Sequence, residues 1–438
     1  MKQLKLYILL LIGTVLFACN DHVLTDLEQS QNSNSPYNKN LETAIAMAEN
    51  MIKSIEVNQT RSVNRTIRSI SPINGTTRSD DSSQWYIVNY DNEAGFCIVT
   101  DADIPSPVAA FSEQGELVPY SIDLGSPLSI YLNALNYYGV DFFNINSESF
   151  DVPGDPEAYI PTGGIGGGID GGTRGGFIPN PGGFEPIPDP GIVTPQTIYV
   201  TKPLIAEPVQ KWGQSDPFNR YCPRQWNEST QSYEHGLAGC AAVACGMIMS
   251  YYEWPGYYTD HRFNWDYINN NEVNYEHGFV PLLLYDLGKP ENLNITYGLA
   301  GSSASINNFS RTFFNFEYYN TVWHDFSEQK LSSFLHDKHP VIVTGSGYDY
   351  INKKDVCHAW VIDGYYILKY NDCADPDPNS PKQANYYHNI WGWNAGGNGY
   401  YRMPNKDITV EYNNNGIQVN QHYYKNLKIM SGFAKREQ

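Results

Sequence analysis

The sequence predicts an α+β fold in two parts, and three observations carry that prediction. A long apolar helix pattern, Gly239 to Trp254, precedes a run of strand-like segments instead of alternating with them. A hairpin pattern, Trp85 to Tyr90 and Gly95 to Thr100, lies between two helix patterns. Between these regions, Val152 to Pro195 holds 13 Gly and 9 Pro, a density that cannot form a packed core and marks a linker.

In chain order, Lys2 and Lys5 precede an apolar run from Leu6 to Phe17. That run is shorter than the roughly 20 residues a membrane span needs, and residues 1–18 read as a signal peptide. Leu16-Phe17-Ala18-Cys19 resembles the lipobox of bacterial lipoproteins. The resemblance implies a lipid on Cys19 and an exported protein held at the cell surface or outer membrane without spanning it. An ordinary cleaved signal, with Cys19 incidental, is the alternative. Residues 19–40, rich in Asn and Ser, read as a tether.

Residues 41–151 form the smaller part. Leu41, Ile45, Ala48, Ile52 and Ile55 recur at steps of three and four, the stripe of an amphipathic helix with Asn40 as its cap. The hairpin follows. Ser126 to Tyr138 then reads as a second helix, capped by Ser126 with Pro127 at its first position. From Ser79 to Thr173 there are 15 Asp/Glu and no Lys or Arg. The linker, residues 152–195, carries Arg174 inside Gly-Gly-Thr-Arg-Gly-Gly, where an exposed basic residue invites proteolytic nicking. Residues 196–438 form the larger part. It opens with the loop Trp212 to Asn219, continues with the helix stopped by Pro255, and ends in strands at Pro340–Thr344, His358–Tyr366 and Tyr386–Trp393.

With 28 Lys+Arg against 47 Asp+Glu, the net charge of -19 argues against nucleic acid or anionic lipid as a partner. The 34 Tyr and 9 Trp suit contact with a polymer such as peptide or glycan. Besides Cys19 there are Cys97, Cys222, Cys240, Cys245, Cys357 and Cys373. None is in a Cys-x-x-Cys pair or a zinc spacing, so no metal or other cofactor is expected, and the disulfide pattern is open.

Cys240 follows Gly239 at the start of the apolar helix, where free backbone N–H groups and the helix dipole favour a thiolate. Cys245, inside the same helix, reads as core. His358 lies in an apolar strand and shares one face with Trp360 and Ile362. A lone strand histidine is more often packed than reactive. Paired with a helix-start cysteine far upstream, it matches the Cys-then-His order of a thiol protease. The imidazole would ionise the sulfur and then protonate the leaving amine.

Four blocks carry a resemblance to the streptopain-like cysteine peptidases (peptidase family C10), which have a papain-like fold. They are Trp212-Gly-Gln-Ser-Asp-Pro-Phe-Asn219, Gly239-Cys-Ala-Ala-Val-Ala-Cys through Trp254-Pro255, Cys357-His-Ala-Trp-Val-Ile-Asp-Gly364, and His388-Asn-Ile-Trp-Gly-Trp393 with Gly397-Asn-Gly-Tyr-Tyr-Arg402. The segment 41–151 resembles the family's inhibitory propeptide through Trp85–Tyr90 and Gly95–Phe111. The resemblance implies Cys240 as nucleophile, His358 as general acid/base, Gln214 as an oxyanion donor and Trp391 as a shield for the pair. It also implies protein or peptide substrates and a propeptide that inhibits until removed. One departure stands out: the family reads His-x-Asn-Trp-Gly-Trp, with the Asn orienting the imidazole, whereas here that position is Ile390 and the Asn is Asn389. Strand alternation then aims Asn389 away from His358 unless a bulge re-aims it, leaving a slower enzyme. A surface lipoprotein of weakened activity, holding peptide or glycan, is the alternative function. A disulfide-stabilised carbohydrate module with oxidised Cys240 is a third.

Overall fold

A computed structural model of the chain describes residues 36–56, 65–73, 84–104, 106–118, isolated positions between 128 and 143, and 196–273. It further describes 278–349, 354–369, 383–403, 408–414, 417–423 and 425–435. The leader with Cys19, the linker with Arg174, the expected cap Ser126-Pro127, and Cys373 lie outside the described residues.

The first helix, α1 (Pro36–Glu56), begins before the position expected of its cap. Asn40 therefore lies inside the helix, where its amide donates to the Asp101 carbonyl at 3.3 Å instead of closing a helix end. The apolar stripe is as expected, with Ala44, Ile45, Ala48, Ile52 and Ile55 buried. The hairpin forms as β2 (Trp85–Tyr90) and β3 (Phe96–Thr100), flanked by β1 (Ile67–Pro72) and β4 (Val108–Ser112). Gly95, at φ +106°, enters β3 so close to β4 that a Cβ there would lie 2.0 Å from the Ser112 carbonyl oxygen. No other residue type fits that approach.

The larger part contributes β5 (Gln196–Thr201), β6 (Val322–Asp325), β7 (Val341–Asp349), β8 (Lys354–Lys369), β9 (Gln383–Ile390), β10 (Gly399–Arg402) and β11 (Lys425–Ser431). Its main helices are α2 (Cys240–Tyr252), α3 (Phe279–Gly288), α4 (Asn308–Asn315) and α5 (Glu328–His336). The α+β expectation is borne out, with the leading helix packed on an antiparallel sheet. The strand expected over Tyr386–Trp393 stops at Ile390, because Gly392 at φ +75° turns the chain against Val243 of α2.

The two parts share one sheet. Its 11 strands run β1-β2-β3-β4-β10-β9-β8-β7-β11-β6, with β5 paired to β8 off that path. The junction is β4 against β10, Phe111 opposite Tyr400 and Ala110 opposite Tyr401. Side chains close both faces over it. On one face α1 packs on Val88, Val99 and Phe111 together with Tyr366, Tyr386 and Tyr400, and Phe111 stacks on Tyr400 with ring centroids 5.2 Å apart. On the other, Leu128, Tyr131 and Leu135 enter the same cluster as Trp360, Trp391 and Tyr401. A third cluster buries α2 between α3 and the sheet residues Ile342, Ala359, Val361 and Ile390.

Candidate active site

Helix α2 is apolar on every side, and every residue from Ala241 to Ser250 is buried. It packs closely because it is built of small residues: a Cβ on Gly246 would meet Trp212 at 3.0 Å and Leu284 at 3.3 Å. Gly239, at φ +90°, is its N-cap, so Cys240 is the first helical residue, as the sequence predicts. The half-buried Cys240 turns its sulfur toward its own N–H, that of Ala241 and that of Ala359 on β8. Burial nonetheless outweighs these donors and raises the thiol pKa. Desolvation of the charged sulfur thus works against the helix-end N–H groups that favour it.

Strand β8 explains how Ala359 reaches that sulfur. Its first half pairs with β7, from Lys354 to Ile362. On its other side β9 begins pairing only at Val361, opposite Ile390. The stretch around His358 and Ala359 therefore has an edge that β9 leaves uncovered, and the start of α2 sits against it. His358 stands opposite Gly345, where a Cβ would crowd Leu427 at 2.8 Å and Trp360 at 3.3 Å. Burial pushes the His358 pKa down to about 4.

The His358 shift has a consequence for stability. A histidine whose pKa is lowered by folding takes up protons on unfolding, so stability is lost as pH falls from about 6.5 toward about 4. The loss is at most about 3 kcal/mol, less for a residue that keeps some surface in solvent. Urea denaturation at pH 7 and pH 4.5 should show the wild-type chain losing more stability than His358→Gln.

Gln214 is buried, and its carbonyl accepts from the Ala238 N–H at 2.8 Å, two residues before Cys240. Its side-chain Nε2 has no hydrogen-bond partner among the described residues. A buried amide N–H left open beside a helix N-terminus is a ready donor for a developing oxyanion. The preceding Trp212 carbonyl accepts from the Asn394 N–H at 3.2 Å, which ties this loop to the one after β9.

Asn389 sits beside a register shift, the kind of irregularity that alternation alone does not allow for. It is paired with Ile362, and so lies on the face of Trp360, while Ile390 is paired with Val361 and faces α2. The register shift between Ile362 and Gly364 belongs to this arrangement. Asn389 Oδ1 accepts from Trp360 Nε1 at 2.8 Å, and its amide donates to the Tyr387 carbonyl at 2.6 Å. Asn389→Ala should cost about 1–3 kcal/mol by orphaning the Trp360 N–H, measured by urea denaturation. Ile390→Asn would put an amide into the apolar α2 cluster and destabilise the fold.

Trp391 is fully buried, its indole N–H donates to the Gly397 carbonyl at 2.9 Å, and its ring lies 5.6 Å from that of Trp360. It braces the His358 strand through Trp360. Sequence reasoning missed the supports behind these residues. Asn398 accepts from the Trp391 N–H at 3.1 Å and donates to the Gln210 carbonyl at 2.8 Å. His388 Nδ1 and Asp363 Oδ1 form a buried pair at 2.6 Å. Burial opposes protonation of His388, but the Asp363 carboxylate wins and raises its pKa. Asp363 also accepts from the Ile205 N–H at 2.8 Å, anchoring the chain just before the Trp212 loop. Both residues lie within the quoted motifs, but spacing does not show that they meet.

The smaller part touches this scaffold at Gly397. Here φ is +71°, and a Cβ would meet Leu128 at 2.3 Å and Leu117 at 2.9 Å. Leu128 therefore seats on the loop whose carbonyl holds Trp391. Among the described residues, no group of three or more His, Cys, Asp or Glu is arranged to hold a metal ion, and no helix is long and apolar enough to cross a membrane.

Residues 212–401 match the Peptidase C10 family, and residues 33–137 match the Spi protease inhibitor. Streptopain of Streptococcus pyogenes is 26% identical over 258 residues, 47% of this chain and 59% of streptopain. The chain thus matches less than two thirds of that relative's length. Among solved structures, a prointerpain A fragment of Prevotella intermedia is similar with a TM-score of 0.49 at 16% identity, covering 85% of this chain and 100% of the fragment. Active interpain A cysteine protease of Prevotella intermedia gives 0.37 at 19% identity, covering 54% of this chain and 95% of that one.

Proposed function

We propose, for a chain that belongs to the streptopain-like cysteine peptidases of family C10 and carries an Spi-type inhibitor domain at its N-terminus, that it is the zymogen of an endopeptidase. One observation carries this reading: the sulfur of Cys240, at the first turn of α2, lies against the N–H of the residue that follows His358.

In this reading His358 takes the Cys240 proton, the thiolate attacks the scissile carbonyl, and a tetrahedral oxyanion forms. Gln214 Nε2–H and the Cys240 backbone N–H receive that oxyanion. His358 then protonates the leaving amine, and water attacking with His358 as base hydrolyses the thioester. Cleavage in the linker at residues 152–195 would activate the enzyme. Export through residues 1–18, anchoring by a lipid on Cys19, and substrates among proteins or peptides complete the proposal.

Limited trypsin followed by a casein assay tests it, with Cys240→Ala as the inactive control. Gln214→Ala should lower kcat roughly 10²- to 10³-fold with KM little changed; an unchanged kcat would remove Gln214 from the site. The second reading, a weakened lipoprotein that holds peptide or glycan on the same face, draws on Asn389 spending its oxygen on Trp360 instead of the imidazole. A thiol-reactive peptidase probe separates the two, because only the enzyme is labelled at Cys240 after linker cleavage.

A further inference from the structure

Cysteine burial singles out two thiols. Cys97, Cys222 and Cys245 are buried, Cys240 is half-buried and Cys357 is exposed, and none of these five is in a disulfide. Cys357 immediately precedes His358 on β8. By strand alternation it shares the face of Ala359 and Val361, the residues that pack against α2. It lies two residues, about 7 Å of strand, from Ala359, whose N–H meets the Cys240 sulfur. Ser346, a small residue, stands opposite it on β7. The two sulfurs are near enough that a charge on Cys357 opposes ionisation of Cys240. Nothing in the proposed hydrolysis uses Cys357.

We propose that Cys357 is a redox partner of Cys240, and that a peroxide joins the two in a reversible disulfide that switches the nucleophile off. The inference rests on Cys240 being that nucleophile. The exposed Cys357 meets the oxidant first: its sulfur attacks hydrogen peroxide, the O–O bond breaks, and Cys357 sulfenic acid and water form. The Cys240 sulfur then attacks the Cys357 sulfur. An S–S bond forms, the S–O bond breaks, and the hydroxyl leaves as water with the thiol proton. The two electrons given up by the cysteines have reduced one peroxide to two waters. A dithiol returns both residues to thiols by exchange. The disulfide holds Cys240 below the sulfinic level, from which it would not recover.

The test treats the full chain with hydrogen peroxide, digests it without reduction and maps cross-linked peptides by mass spectrometry. The expected product joins the Cys240 and Cys357 peptides, two hydrogens lighter than their sum, and disappears with dithiothreitol. After linker cleavage, peroxide-treated wild type should regain most of its casein activity on adding dithiothreitol. Cys357→Ser, equally active before oxidation, should stay inactive and carry two added oxygens on Cys240. The proposal is overturned if Cys357 is linked to another cysteine or to none, or if both proteins lose activity irreversibly alike. The cross-link is read without any activity, whereas the nucleophile reading fails separately if unoxidised Cys240→Ala still cleaves casein.

Discussion

Cys240→Ala, cleaved in the linker and assayed on casein, should show activity reduced by about 10⁴-fold or more, because an alanine offers no nucleophile and the remaining oxyanion donors act on nothing. The fold should survive. Cys240 is the first residue of α2 with part of its surface in solvent, and the helix is held by the buried run from Ala241 to Ser250. Thermal denaturation should therefore shift by no more than a few degrees, which separates loss of chemistry from loss of structure. Casein cleavage that persists in this variant would remove Cys240 from the mechanism.

Leu128→Asp should raise the casein activity of the uncleaved chain. Leu128 is 2% exposed and shares a cluster with Trp360 and Trp391. It seats on Gly397, where a Cβ would lie 2.3 Å from its Cδ2. A carboxylate in that place would enter an apolar cluster. An unpaired buried charge costs about 3–5 kcal/mol, which corresponds to roughly 10²- to 10³-fold weaker seating. Leu128→Ala should act in the same direction but less, since it removes packing without adding a charge. Because α1 and the β4–β10 junction hold the inhibitor domain elsewhere, the released segment is expected to be the region around Leu128 rather than the whole domain. Hydrogen exchange on the intact chain should locate the added opening there. An uncleaved Leu128→Asp chain as silent as wild type would show that this contact does not restrain the peptidase.

Much of the fold was legible in the sequence because local patterns carry it. The stripe of α1, the Trp85–Thr100 hairpin and the start of α2 after Gly239 all follow from side-chain spacing and from glycine's tolerance of positive φ. Asn389 shows where such reading fails. Alternation was applied to β9 alone, whereas the face a residue presents is set by its partner on β8, Ile362, and by the register shift beside it. The surroundings of Cys240 are a related case: the helix end is a local feature, but the desolvation that opposes it comes from the packing around the sulfur.

Local pattern sufficed for the order of helix and strands and for the positions of the candidate residues Cys240, His358 and Gln214 relative to them. Packing was needed to show that the Ala359 N–H meets the sulfur, that Asp363 pairs with His388, and that β4 of the smaller part continues the sheet of the larger part at β10. The physical reason is distance along the chain. Periodicity and capping act over a few residues, whereas register, burial and charge pairing join residues from 25 apart, as in Asp363 and His388, to hundreds apart, as in β4 and β10, which only the packed chain brings into contact.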